Sequence, residues 1–86
     1  MDNEIAGSSW EWTIADRLRK ARESTGMDKT EFAKITDISR TVVANLEKGV
    51  GPYKQYYLLT WAKFTDVSFE WLMTGKDVNP NNSQAS

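Results

Sequence analysis

Cysteine and histidine are both absent from this chain of 86 residues. Without cysteine the protein has no disulfide and no thiolate metal site, and without histidine the commonest general base is missing. The sequence also lacks a Gly-rich phosphate loop, an HExxH pattern and EF-hand spacing. It therefore predicts a protein that is not an enzyme and that holds no metal, no cofactor and no small-molecule ligand.

Long apolar runs are missing as well. Uninterrupted apolar stretches are only a few residues long, whereas about 20 residues are needed to span a bilayer. The N-terminal residues do not show the basic residues, apolar run and cleavage site of a signal peptide. We therefore expect a soluble, cytoplasmic protein with no membrane partner.

The charge that is present is unevenly distributed, although the formal net charge is only −1. Residues 13–63 carry ten Lys or Arg against six Asp or Glu, a net of +4. The flanking residues 1–12 and 64–86 carry net charges of −3 and −2. A basic middle segment has the sign expected of a surface that faces phosphates.

The two ends of the chain are polar and predict disordered tails at residues 1–9 and 77–86. The remaining residues 10–76 form one domain with helical patterning. Thr13 and Asp16 predict a cap at the start of the first helix, while Ser8 and Glu11 would allow an earlier start. Pro52 suits the first turn of a fourth helix. Burial is expected at the apolar positions Trp10, Trp12, Ile14, Leu18, Ala21, Phe32, Ala33, Ile35, Val42, Val43, Leu46, Tyr56, Tyr57, Leu58, Leu59, Trp61, Ala62, Phe69 and Trp71.

One turn sequence occurs twice. The stretch ITDIS at residues 35–39 recurs as FTDVS at residues 64–68. In each copy the Asp can adopt the left-handed conformation and the Ser can cap the next helix. Asp28 is a further N-cap, and Gly26, Gly49 and Gly75 are suited to end helices. Two short helices about a turn apart make a helix-turn-helix.

The segment at residues 27–49, MDKTEFAKITDISRTVVANLEKG, resembles the helix-turn-helix of the lambda-repressor-like family, which includes phage repressors, Cro proteins and many small bacterial regulators. Residues 59–75 resemble the family's fourth and fifth helices, so the resemblance covers about residues 13–75. It implies an all-α, compact five-helix domain with the helix-turn-helix at helices 2 and 3. Thr36 and Asp37 depart from the apolar residue and the Gly that are usual in the turn.

The resemblance also implies roles for particular residues. Glu47 stands where the family often has a Glu that pairs with a basic residue of helix 1, here Arg17 or Arg22. The matching base-reading positions lie on the recognition helix, residues 39–48: Arg40, Thr41, Ala44 and Asn45. Phosphate contacts are expected from Lys29, Ser39, Lys48, Tyr53, Lys54 and Gln55.

The resemblance therefore implies a sequence-specific regulator of transcription, of the Cro-like or phage-repressor type, that binds double-stranded DNA in the major groove. One such domain contacts few base pairs, so we expect a homodimer at least on DNA. The protein would act at the nucleoid, or in the host cytoplasm if it is phage-encoded. Two alternatives stay open: an antitoxin of the same fold, and a protein-interaction module that has lost DNA binding. Trp71 and Met73 are candidates for the dimer surface.

Overall fold

A computed structural model describes residues 12–76, which form five α-helices and, within that range, no strand. The helices are α1 (Ile14–Ser24), α2 (Lys29–Thr36), α3 (Arg40–Glu47), α4 (Gln55–Thr65) and α5 (Phe69–Thr74). The all-α class with five helices is therefore confirmed. The tails predicted at residues 1–9 and 77–86 lie outside the described residues. None of the five helices has the length and apolar character needed to cross a membrane.

The helix starts follow the caps that the sequence predicts. Thr13 has extended backbone and its hydroxyl accepts from the Asp16 N–H, while the Asp16 carboxylate accepts from the Thr13 N–H. Helix α1 therefore begins at Ile14; the alternative cap residues Ser8 and Glu11 are outside the described range. Asp28 caps α2 in the same reciprocal way with Glu31.

The repeated turn has the same backbone in both copies. Asp37 after α2 and Asp66 after α4 have φ of 62° and 61°, in the left-handed region. Ser39 and Ser68 then accept a hydrogen bond from the first turn of the next helix. The prediction of one local turn used twice is confirmed.

The polar residue Thr36 is well accommodated in the first of these turns. It is 4 % exposed, and its hydroxyl donates to the Phe32 carbonyl at 2.7 Å. The same oxygen accepts from the Ile38 N–H at 3.3 Å, so the hydroxyl joins the end of α2 to the turn. An apolar side chain at this position could not make these two hydrogen bonds to the backbone.

Trp61 of α4 lies at the centre of the core and is fully buried. Its ring packs against Phe32 with centroids 4.7 Å apart, and its indole N–H donates to the Leu18 carbonyl at 2.8 Å. Three helices meet at this side chain. The buried cluster comprises Leu18, Ala21, Phe32, Ile38, Val43, Leu46, Leu58, Trp61 and Leu72.

Two expectations about individual positions were wrong. Pro52 was expected in the first turn of α4, but α4 begins three residues later, at Gln55. Four residues were expected to be buried but are 46–59 % exposed: Trp12, Ile35, Tyr56 and Leu59. Ile35, Tyr56 and Leu59 lie on helices that pack by only one face, and Thr36 and Leu58 occupy the buried face instead. Trp12 lies before the start of α1, and Trp10 lies outside the described residues.

The two candidate arginines of α1 have separate partners. Arg22 donates from Nε and Nη2 to the two carboxylate oxygens of Glu47, at 2.7 and 3.0 Å. Arg17 is 8 % exposed and donates to the carbonyls of Trp12, Leu72 and Met73. Arg22 is therefore the residue that holds the recognition helix against α1, and Arg17 ties α1 to the C-terminal end of α5.

Candidate nucleic-acid interface

Helix α3 has two clearly different faces. Val43 and Leu46 are at most 1 % exposed and fix the helix on the core. The four candidate base-reading residues lie at positions i, i+1, i+4 and i+5 of the helix, counted from Arg40. They therefore share the face opposite Val43 and Leu46. Arg40 and Thr41 are exposed there, and Ala44 and Asn45 are half-buried. The structure thus places all four on one accessible side of one helix.

Arg40 is the first residue of α3 and projects from the start of the helix. Ser39 caps the helix by accepting from the Val42 N–H at 3.1 Å, which makes Arg40 the first helical residue. A cation at this position is opposed by the positive end of the helix dipole. The Arg40 side chain turns towards α2, where its Nε donates to the Thr30 hydroxyl at 3.1 Å.

The helix starts differ in a way that favours an anionic partner at α3 and α4. The first turns of α1, α2 and α5 contain Asp16, Glu31 and Glu70, as the helix dipole favours. The first turns of α3 and α4 contain no acidic residue, and Arg40 and Lys54 stand there instead. Neither of these two helix starts therefore carries a negative side chain that would repel an anion.

Lys54 and Gln55 form the start of α4 and are both exposed. Lys54 takes the N-cap position, and no side chain caps the helix there. The backbone N–H groups of this first turn are therefore left without a side-chain acceptor, which is the arrangement that binds phosphate at other helix N-termini.

The other candidate phosphate ligands surround the helix-turn-helix. Lys29 is the first residue of α2 and is half-buried, while Ser39 and Lys48 at the two ends of α3 are exposed. The Tyr53 hydroxyl donates to the Leu46 carbonyl at 2.8 Å, and partial burial raises the pKa of this phenol. Tyr53 therefore braces the loop after α3, and a phosphate contact through its hydroxyl hydrogen would have to break that bond.

Thr30 is the residue at this surface that the sequence analysis missed. It lies in α2 beside Lys29, and it contacts Arg40 ten positions away. Periodicity reports which face of a helix is buried, but it does not report which exposed side chains of two helices meet. The contact becomes visible only once the turn has set the angle between α2 and α3.

The fold and this surface define a helix-turn-helix module of the DNA-binding type. The family model described as helix-turn-helix matches residues 18–72, well over half of the chain. The protein therefore belongs to the lambda-repressor-like helix-turn-helix family, which is a family of DNA-binding transcription regulators. Searches of the curated proteins and of the solved structures found no match.

Proposed function

We propose that this protein is a sequence-specific repressor of the Cro-like or phage type, which binds its operator as a homodimer with α3 in the major groove. The observation that carries the proposal is the outward face of α3, where a capped, firmly packed helix presents Arg40, Thr41, Ala44 and Asn45 together. A major groove admits one such helix, and its first turns then reach the base edges.

Each of the four side chains suits a particular base. The Arg40 guanidinium can donate two hydrogen bonds to O6 and N7 of guanine, and the Asn45 amide can pair with N6 and N7 of adenine. Ala44 and the Thr41 methyl group suit the methyl group of thymine. One good two-bond contact discriminates against a wrong base by about 1–3 kcal/mol.

The phosphate contacts fix the register of the helix on the duplex without reading sequence. We assign them to Lys29, Ser39, Lys48, Lys54 and Gln55, with Tyr53 as the member whose hydroxyl must first leave Leu46. Both acid-free helix starts belong to this set. Each phosphate that the protein neutralises releases counterions. The logarithm of the binding constant therefore falls with the logarithm of the salt concentration, with a slope near −0.9 per phosphate contact.

The proposed dimer surface is an apolar patch formed by Trp12, Trp71 and Met73. Trp12 and Trp71 pack edge to face with ring centroids 6.3 Å apart, yet Trp12 is 46 % and Met73 is 40 % exposed. Aromatic residues and Met are enriched at protein interfaces. The substitution Met73→Glu should therefore weaken cooperative binding to a two-fold site and leave binding to an isolated half-site unchanged.

The proposal is tested by selecting bound sequences from a pool of random duplexes and then measuring affinities by fluorescence anisotropy at two salt concentrations. Wild type should enrich a two-fold motif with half-sites about one helical turn apart. Arg40→Ala and Asn45→Ala should lose the preference at separate base positions of each half-site. Lys63→Gln is the control, because Lys63 is exposed in the last turn of α4, outside the proposed interface.

Two other outcomes correspond to the competing functions. If no duplex binds even at low salt, the repressor proposal fails and the fold serves protein contacts, for which the exposed Tyr56 and Leu59 on α4 offer a second apolar surface besides the patch at Trp12 and Met73. If DNA is bound and a toxin encoded beside the protein copurifies with it, the protein is an antitoxin that represses its own operator.

A further inference from the structure

The side chain of Arg40 is held by a residue of the preceding helix. Its Nε donates to the Thr30 Oγ1 at 3.1 Å, and both residues are exposed. Thr30 is the second residue of α2 and Arg40 is the first residue of α3, so the bond spans the two helices of the helix-turn-helix. The proposed guanine-reading side chain is therefore oriented by a hydrogen bond within the protein itself.

The geometry of a guanidinium group gives this bond a consequence. The group is flat and carries five N–H donors, one on Nε and two on each terminal nitrogen. A two-bond contact to guanine can use either the Nε edge or the two terminal nitrogens. When Nε is engaged by Thr30, only the terminal pair keeps both of its donors free.

We propose that Thr30 is a positioning residue that sets how strongly Arg40 discriminates for guanine. This inference rests on the proposed function, since it assumes that Arg40 reads a base. By holding Nε, Thr30 reduces the number of rotamers that Arg40 loses on binding. It also leaves the two terminal nitrogens of the guanidinium as the pair that contacts guanine. Ordering a flexible side chain at an interface costs free energy, and a side chain that is already ordered avoids part of that cost.

Thr30 is well suited to this task for two reasons. A Thr side chain in a helix adopts mainly two χ1 rotamers, so its hydroxyl is restricted to two positions. The hydroxyl is also neutral, so it orients the arginine without neutralising the charge that DNA requires. A carboxylate is available next in sequence, but Glu31 is occupied by its bond to the Asp28 N–H in the capping box of α2.

The experiment uses the full chain and the sequence that wild type selects. The measured quantity is the ratio of the dissociation constants for the selected duplex and for a duplex with the Arg40-read base pair changed. Thr30→Val removes the acceptor and keeps the shape, while Thr30→Ser keeps the acceptor. We expect Thr30→Val to reduce the ratio by about two- to tenfold and Thr30→Ser to retain it. In an Arg40→Ala background, Thr30→Val should change nothing further.

A second measurement needs no DNA. Exchange of the Arg40 Nε proton with water, followed by nuclear magnetic resonance of the free protein, should be slower in wild type and Thr30→Ser than in Thr30→Val. The thermal midpoint reports the fold, and it should be nearly the same in all three proteins because the bond is exposed.

Three results would overturn the inference. If Arg40→Ala loses the preference and Thr30→Val keeps the wild-type ratio, then Thr30 does not position the arginine. If Thr30→Val weakens all duplexes equally, also in the Arg40→Ala background, then Thr30 touches the DNA backbone itself. If wild type shows no sequence preference, the proposed function fails and this inference falls with it; only the exchange measurement would then still describe the bond.

Discussion

Arg22 of α1 and Glu47 at the end of α3 form a two-bond ion pair in which the Glu47 side chain is 2 % exposed. Arg22 also donates to the Met27 carbonyl, so that its guanidinium joins α1, the following turn and α3. The hydrogen bond with Glu47 raises the pKa of Arg22, so the guanidinium of this pair stays charged. The orientation of α3 relative to α1 is thus fixed by this ion pair as well as by the packing of the core.

The first prediction concerns this pair. Glu47→Gln leaves the Arg22 charge without a counter-ion in a nearly buried site, and breaking a buried pair in this way is strongly destabilising. We expect the free energy of unfolding to fall by about 3 kcal/mol. The measurement is urea denaturation followed by tryptophan fluorescence.

The control for this prediction is Glu23→Gln. Glu23 pairs with Arg19 at 3.5 Å on the same helix, but both side chains are more than 40 % exposed. Removal of such a surface pair should cost about 0.5 kcal/mol or less. Equal losses in the two variants would contradict the role given to the Arg22–Glu47 pair.

The second prediction concerns the left-handed turns. Asp37 and Asp66 have positive φ at the C-terminal ends of their helices, where neither a side chain nor a negative charge is favoured. Asp37→Gly removes both penalties, although it adds freedom to the unfolded chain. We expect a net gain of about 0.5 kcal/mol for Asp37→Gly and a loss of about 1 kcal/mol for Asp37→Ala. The same signs should hold at Asp66, and thermal unfolding distinguishes them.

Most of this fold could be predicted from local signals, because its helices are bounded by residues with strong conformational preferences. Thr13, Asp28, Ser39 and Ser68 act as the caps that their types and positions predict. The start of α4 has no such signal, since Lys54 caps it without a side-chain bond. Pro52 was the available marker there, and it misplaced the helix start by three residues.

The candidate site could be predicted only in part. The resemblance supplied the candidate positions on α3. It also implied that Glu47 pairs with a basic residue of α1, but it did not decide between Arg17 and Arg22. Sequence spacing could not decide which of the two pairs with Glu47, because both lie on α1. The choice depends on which of them the C-terminal end of α3 approaches in the folded protein. The Thr30–Arg40 contact had no signal for the same reason.

The third prediction is a dependence on pH. The Thr13 N–H donates to the Asp16 carboxylate at 3.0 Å and holds the pKa of Asp16 below its ordinary value of 3.8. A carboxyl with a lowered pKa stabilises the fold above its unfolded pKa, and this contribution is lost as pH falls through the folded pKa. The difference in stability between wild type and Asp16→Asn should therefore be constant above about pH 5 and shrink below about pH 4. A difference that grows in acid would contradict the assignment.

The fourth prediction is that one substitution at the start of α4 will stabilise the fold and weaken DNA binding. Gln55 is exposed in a first turn that contains no acidic residue. In Gln55→Glu the new charge interacts favourably with the helix dipole, and we expect the unfolding free energy to rise by about 0.3–1 kcal/mol. The same charge repels phosphate, so affinity for the selected duplex should be below that of wild type at low salt, and this difference should shrink at high salt.

Two further variants show whether these opposite effects belong to the proposed interface. Gln55→Ala removes the side chain without adding charge, so it should leave the salt dependence closer to wild type. Glu70→Gln removes an acid from the first turn of α5, outside the proposed interface, and should lower stability with no effect on DNA affinity. If Gln55→Glu raised stability and bound DNA as wild type does, the start of α4 would not face the phosphates. The absence of an acidic residue from the first turn of α4 would then be unrelated to DNA binding.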